Sequence, residues 1–282
     1  MIQPSFQLRN QIVELETPQH VSLIIEYSKS QIVFIWHKKS NATLLMLRVY
    51  PLPQSKESDP IAHLNDIFES EPIHDWQPID VQLMYQTMEF SLLPASVYQI
   101  DMAQSLMQLV AGDAEKGLVF SEKIPGFDIY GVYRIPTETH KFFQHKIRNG
   151  IYWHFNSKWL QTLKTYGATA TMMYVVIHAD HISVAVLNNG EPLLVQSYSY
   201  QTPEDVSWQL LSLLRELALK PHLVKVYLTG MVEEDSSLYL ELQKYFLQLS
   251  FVNYDGSTWK DEILKSTPGH YFTNYLDVAL CE

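Results

Sequence analysis

"VVIHADHISVAVLNNGEPLLV", residues 175–195, reads as two strands that continue into a third. Residues 175–178 are apolar and extended. Ala179-Asp180-His181 turns the chain. Ile182, Val184 and Val186 then alternate with Ser183 and Ala185, the period-two pattern of a strand with one better-buried face. Asn189-Gly190 is a hairpin turn, because both residues tolerate positive φ. The elements downstream of this stretch, and a second occurrence of the same order in the chain, decide the fold.

Residues 192–200 form the third strand. Thr202-Pro203 opens a helix with Val206, Leu210, Leu213, Leu214 and Leu217 on one stripe, and Lys220-Pro221 stops it. Residues 224–230 give a fourth strand. The first half reads the same way, with strands at 21–26, 31–37 and 42–50. A helix begins at Asp59-Pro60, with Ile61, Leu64, Ile67 and Phe68 at helical spacing, and leads to a strand over 81–90. Both helices begin with a capping residue and a proline at the first helical position. Thr202 with Asp205 is a weak capping box. The chain is therefore α/β, with two β-β-β-α-β units of shared architecture and unshared residues. The spacing also predicts helices over 101–112, 137–150, 156–167 (capped by Asn156, closed by Gly167) and 236–249 (capped by Asp235). Strands are predicted over 127–136 and 250–254. The expected division is residues 1–150 and 151–282, with a hinge near 148–168.

Composition narrows the function. Hydrophobic residues are 46% and charged residues 18%, so a packed core is expected. The net charge of −11 argues against a general nucleic-acid or anionic-membrane binder, since phosphate binding needs a cationic face. The single cysteine, Cys281, excludes an internal disulfide framework and a multi-cysteine metal site, and fits a reducing compartment. The N-terminus lacks a signal pattern, and no apolar run reaches membrane-spanning length. A cytoplasmic protein with no membrane insertion is expected.

Two β-β-β-α-β units in one chain resemble the actin-like ATPase superfamily, which includes sugar kinases, actin and bacterial cell-division and pilus-assembly proteins. "EFSLLPASVY" (89–98), "VYLTGMVEEDSSLYLELQKYF" (226–246) and "ALCE" (279–282) also resemble a bacterial family known only as a domain of unknown function. The resemblance implies an actin-like (ribonuclease H-like) fold of two subdomains. In a working member of the superfamily, two hairpin turns hold phosphates, each with Asp-x-Gly. Glycine lets backbone N–H groups approach the phosphate, and the aspartates serve Mg²⁺ or the attacking group. Here the first turn is Glu26-Tyr27-Ser28-Lys29-Ser30 and the second His178-Ala179-Asp180-His181, both without glycine. The adenosine-side motif, small-Gly-Gly in the superfamily, is Leu228-Thr229-Gly230-Met231. Ten glycines in 282 residues are sparse for a chain that wraps phosphates.

These residues admit two readings. In the first, the fold keeps its hairpins for the sheet and has dropped the nucleotide: a non-catalytic scaffold or adaptor for an unidentified protein partner, with no cofactor. In the second, a divergent ATPase or kinase uses Glu26, Lys29, Asp180 and Thr229, with Gly230 the one glycine kept of the adenosine-side pair and Met231 where the base would pass. His178 and His181 with Asp180 are expected to be hairpin-end residues, not metal ligands, for want of a third ligand. His140, Lys141, His145, Lys146 and Arg148 make a basic helix that either docks an acidic partner or RNA, or is the solvated face above Phe142, Phe143 and Ile147. Cys281 reads as a small buried hydrophobe and Asp255-Gly256-Ser257 as a turn. Aromatic clusters at 150–155 and 197–201 are core or interface.

Overall fold

The computed structural model describes residues 2–10, 19–55, 59–112, 117–167, 170–252, 264 and 267–280. Cys281 and Asp255-Gly256-Ser257 lie outside them. Both β-β-β-α-β units are present. In the first, β2 (Ser22–Tyr27), β3 (Gln31–Lys38) and β4 (Thr43–Pro51) form an antiparallel meander, after the short edge strand β1 (Phe6–Arg9). Helix α1 (Pro60–Ser70) crosses over, the short α2 (Ile73–Trp76) comes next, and β5 (Asp80–Tyr85) pairs parallel to β2. In the second unit, β10 (Thr171–Ile177), β11 (His181–Asn188) and β12 (Glu191–Ser199) repeat the meander. Helix α6 (Pro203–Glu216) crosses over to β13 (Lys225–Gly230), parallel to β10.

The helix starts behave as their sequences require. The Asp59 carboxylate accepts from the N–H groups of Ile61 (2.9 Å) and Ala62 (3.2 Å). Thr202 and Asp205 form a reciprocal capping box. The apolar stripe of α6 is buried with Met173, Val175, Ile182 and Val184 on one face of the second sheet.

A third sheet separates the units. The strand expected over 81–90 ends at Tyr85, and a new one, β6 (Phe90–Pro94), starts after it. Strand β6, helix α3 (Met102–Ala111), β7 (Gly117–Lys123) and β8 (Ile129–Pro136) build a small sheet in the order β6-β8-β7. Helix α4 (Thr137–Lys146) returns to the first sheet. It stops at Lys146, short of the expected Asn149-Gly150.

The sheets do not part at residue 150. Strand β9 (Ile151–His154) pairs with β5 as the edge of the first sheet, giving the order β1-β4-β3-β2-β5-β9. Helix α5 (Phe155–Thr165) contributes Phe155, Trp159, Leu160 and Leu163 to a core with Ile25, Tyr85, Tyr174 and Val176. That core therefore spans both sheets. The N-cap of α5 is His154 and not Asn156: the His154 Nδ1 accepts the Asn156 N–H at 3.1 Å.

Helix α7 (Ser237–Gln243) is shorter than expected and is capped by Ser236, not Asp235. Strand β14 (Leu249–Phe251) then pairs parallel to β13. Helix α8 (Thr273–Leu280) crosses back to the first unit, where Tyr275, Leu276 and Val278 pack with Ile24, Val33, Ile35 and Met84.

Candidate functional site: the cleft between the two hairpin turns

The β2–β3 and β10–β11 turns meet. Ser30 Oγ donates to Asp180 Oδ1 at 2.9 Å, the direct polar link between two turns 150 residues apart in the chain. Each turn is also fastened within itself. Ser28 Oγ accepts the Gln31 N–H (3.0 Å) and lies 3.2 Å from Ser30 Oγ. Across the cleft, Asp180 Oδ1 is 2.7 Å from His181 Nδ1, and the two bonds hold the Asp180 carboxyl below its ordinary value, His181 contributing most.

His178 and His181 stack on each other, ring centroids 4.4 Å apart. Gln86, just past β5, donates its side-chain amide to the His178 ring, 2.7 Å to Nε2. Its own N–H bonds the Tyr27 carbonyl at 2.8 Å. Burial first, and the neighbouring His181 second, hold His178 well below the usual imidazole range, so it is neutral at neutral pH. His154 is fully buried beneath them, bonded by Nε2 to the Thr87 carbonyl (3.1 Å), and burial pushes it down to about 3. These residues form a polar seam joining the two units. Sequence placed Ser30 in the first turn without giving it a role and did not single out Gln86 or His154; only the pairing of distant strands brings the three together.

The five candidate residues are dispersed around this seam. Lys29 is exposed on the rim of a cavity of about 120 Å³ that Asp180 and His181 also line. On the far side, a cavity of about 250 Å³ is bordered by Gln31, His178, Tyr200, Gly230, Met231 and Tyr275. Glu26 lines neither. It points from β2 into the core beneath α8, at 1% exposure, beside the Tyr275 hydroxyl. Burial pushes its carboxyl up to about 8, and the Tyr275 hydroxyl offsets that only in part. Glu26 is therefore a neutral acid at pH 7.

Thr229 faces the opposite side of β13 from the α6 core. It is buried in a narrow gap with Trp159, Tyr174, Tyr227 and Asn274. Gly230 pairs with Ile177, and a Cβ there would lie 2.2 Å from the Ile177 carbonyl oxygen, at a φ of +104°. The approach of β13 to β10 accounts for this glycine without a ligand. Among the described residues, no group of three or more His, Cys, Asp and Glu side chains is placed to hold a metal ion.

The cross-turn bond predicts a small, specific coupling. In a double-mutant cycle of Ser30→Ala and Asp180→Ala, the coupling energy is expected at about 0.5–1 kcal/mol, because the Asp180 side chain is about half exposed at 49%. Chemical denaturation of the four proteins measures it. Zero coupling means the turns do not hold each other in solution.

The sequence matches the profile of the family described as "Protein of unknown function (DUF3822)" over residues 10–249. The chain belongs to this family. No curated protein matches it in sequence. Among solved structures, it is similar to a Bacteroides thetaiotaomicron VPI-5482 protein with actin-like ATPase fold and unknown function. That likeness has a TM-score of 0.73 at 16% identity and covers 88% of this chain and 95% of that one. It is also similar to a chain of the PilM–PilN type IV pilus biogenesis complex, with a TM-score of 0.63 at 14% identity, covering 93% and 98%. The DUF3822 chain thus has the actin-like ATPase fold. No helix among its described residues is long and apolar enough to cross a membrane.

The basic helix differs from its expected form. His140 is buried, with its Nδ1 2.7 Å from the Tyr85 hydroxyl, and Lys141 pairs with Glu138 at 3.0 Å. His145, Lys146 and Arg148 remain at its far end.

Proposed function

We propose that this chain is a non-catalytic actin-fold scaffold or adaptor, working in the cytoplasm on a protein partner and without nucleotide turnover. The observation that carries the reading is the Ser30–Asp180 hydrogen bond, which ties to each other the two turns that hold phosphates in a working member of the superfamily. Three features support it. Glu26 is buried beneath α8 and lines neither cavity beside the turns, so its carboxyl does not face the cleft. Thr229 is turned into a narrow core gap. Gly230 is accounted for by strand packing. The adaptor half draws on the pilus-complex likeness, where a protein of this fold is found in a complex with another protein.

Calorimetric titration with Mg-ATP and Mg-ADP, alongside thermal melting, tests the reading. The expected result is no saturable heat and no melting shift at millimolar nucleotide. A ligand at a hundred times its Kd stabilises the native state by about 2.7 kcal/mol, so binding has to register in both measurements. Saturable binding overturns the non-catalytic reading in favour of a divergent ATPase or kinase. The adaptor half is read by photo-crosslinking in cells from position 29, on the exposed cleft rim. One discrete heavier adduct is expected, and its absence removes the cleft rim as the docking surface.

A further inference from the structure

The remaining basic residues surround a separate cavity. It lies at the starts of β2 and β5, the opposite end of the first sheet from the hairpin turns, and encloses about 680 Å³. Its floor is apolar. Leu23, Phe68 and Ile147 are buried there, and Ile79 is 68% exposed at the lip. Four basic side chains line it: His74 from α2, and His145, Lys146 and Arg148 from the end of α4 and just beyond. Two carboxylates share the wall, and each has a bond outside the basic set, although Asp80 Oδ1 has no hydrogen-bond partner among the described residues. Glu69 accepts from Asn65 Nδ2 at 2.8 Å, and Asp80 pairs with Lys39 Nζ at 2.7 Å.

Cations at a helix C-terminus stabilise the helix, which accounts for His145 and Lys146. That does not account for Arg148, beyond the helix, nor for His74 on another helix. Nor does it account for a large apolar side chain exposed at the same opening. In a chain of net charge −11, basic side chains gathered from two elements around an apolar floor form a distinct feature.

We propose that this cavity binds a small amphipathic anion: a carboxylate, phosphate or sulfonate head on an apolar body. The head pairs with Lys146 and Arg148, and the imidazoles of His74 and His145 offer further donors. The body covers Leu23, Phe68 and Ile79. The volume lies within the range of small-molecule sites, which are mostly apolar with a few converging polar groups. An extended polyanion is disfavoured by the chain's net charge of −11. The site is independent of the cleft and of the scaffold reading.

Anilinonaphthalene sulfonate, an anion on an aromatic body, is the probe. Its fluorescence is expected to rise saturably, and dodecanoate and dodecyl phosphate to displace it. Lys146→Glu with Arg148→Glu is expected to weaken binding about tenfold or more, while Lys146→Arg with Arg148→Lys retains it. Leu109→Glu, on the exposed face of α3, is expected to leave binding unchanged, which separates this cavity from dye adsorbed elsewhere. Lys146→Ala with Arg148→Ala replaces the charge reversal if that variant melts early. Unchanged dye affinity in a normally melting variant overturns the proposal. So does displacement by inorganic phosphate as strong as by dodecyl phosphate, which makes the site one for a simple anion. Co-sedimentation with phosphatidylglycerol vesicles that is lost in the charge-reversed variant overturns it in favour of a membrane surface.

Discussion

Gly230→Ala is expected to destabilise the protein by about 4 kcal/mol or more, among the larger single-substitution effects. Two costs add. The residue holds φ at +104°, a conformation that L side chains rarely adopt. The new Cβ would also stand 2.2 Å from the Ile177 carbonyl oxygen, a backbone atom of the adjacent central strand. A flexible side chain could move aside, whereas this atom moves only if β10 and β13 part. At about 2–4 °C per kcal/mol for a chain of this size class, the melting temperature falls by about 10 °C or more. Gly112→Ala and Gly167→Ala are the controls. Both glycines have positive φ, but nothing lies within 4 Å of an added Cβ, so each carries the backbone cost alone, about 1–3 kcal/mol. If Gly230→Ala costs no more than the controls, the strands are not as close as described, and the glycine needs another explanation.

Glu26→Gln is expected to stabilise the protein at alkaline pH. The carboxyl sits at about 8 in the folded chain against 4.5 ordinarily. Between those values the folded state holds a proton that the unfolded state has released. Stability from the neutral acid is therefore complete below about pH 4.5 and is lost as pH rises through 8. A separation of this size corresponds to about 3–5 kcal/mol across the window. Glu122, which burial pushes up to about 7, adds in the same direction over 4.5 to 7.

The buried histidines act with the opposite sign. His37 is pushed down to about 4 and His154 to about 3, chiefly by burial, and His178 is lowered too. Their contribution is complete above about pH 6.5 and is lost as pH falls toward their folded values. Stability therefore declines on both sides of a maximum near pH 5–7. Glutamine, a neutral isostere, flattens the alkaline limb alone. Denaturant unfolding at pH 5 and pH 8.5 reads the effect: the variant matches the parent at pH 5 and exceeds it by about 3 kcal/mol at pH 8.5. A variant destabilised at both values means that Glu26 is held as a carboxylate, which restores it as a candidate for charge-dependent function.

Much of the architecture was legible because it is locally encoded. The 175–195 stretch alternates with period two and carries Asn-Gly, and it folds as β10, β11 and β12. Asp59-Pro60 and Thr202-Pro203 start helices because the cap and the proline act within one turn. Errors arose where a boundary depends on distant chain. The 81–90 run is apolar enough for one strand, but β5 has a partner only to Tyr85, and Phe90 pairs with Tyr133 in another sheet. Ile151–His154 reads as an aromatic cluster and becomes a strand because β5 offers an open edge. Helix 236–249 loses its last turns because Leu249–Phe251 pairs with β13.

The candidate site was legible as residue types and not as positions. Glu26, Asp180, Thr229 and Gly230 sit at the ends of the expected strands, as the repeat requires. Sequence alone determined that the chain is a duplicated α/β fold with two glycine-free turns, because periodicity, capping and turn chemistry act over a few residues. The tertiary structure alone decided what those turns and their neighbours touch. It joined Ser30 to Asp180, buried Glu26 under α8, turned Thr229 into the core and set Gly230 against Ile177. Each of these depends on the direction of a side chain or the approach of a backbone between segments far apart in the chain. Such distances are fixed by the packing of whole sheets and helices against one another, and no local pattern carries them.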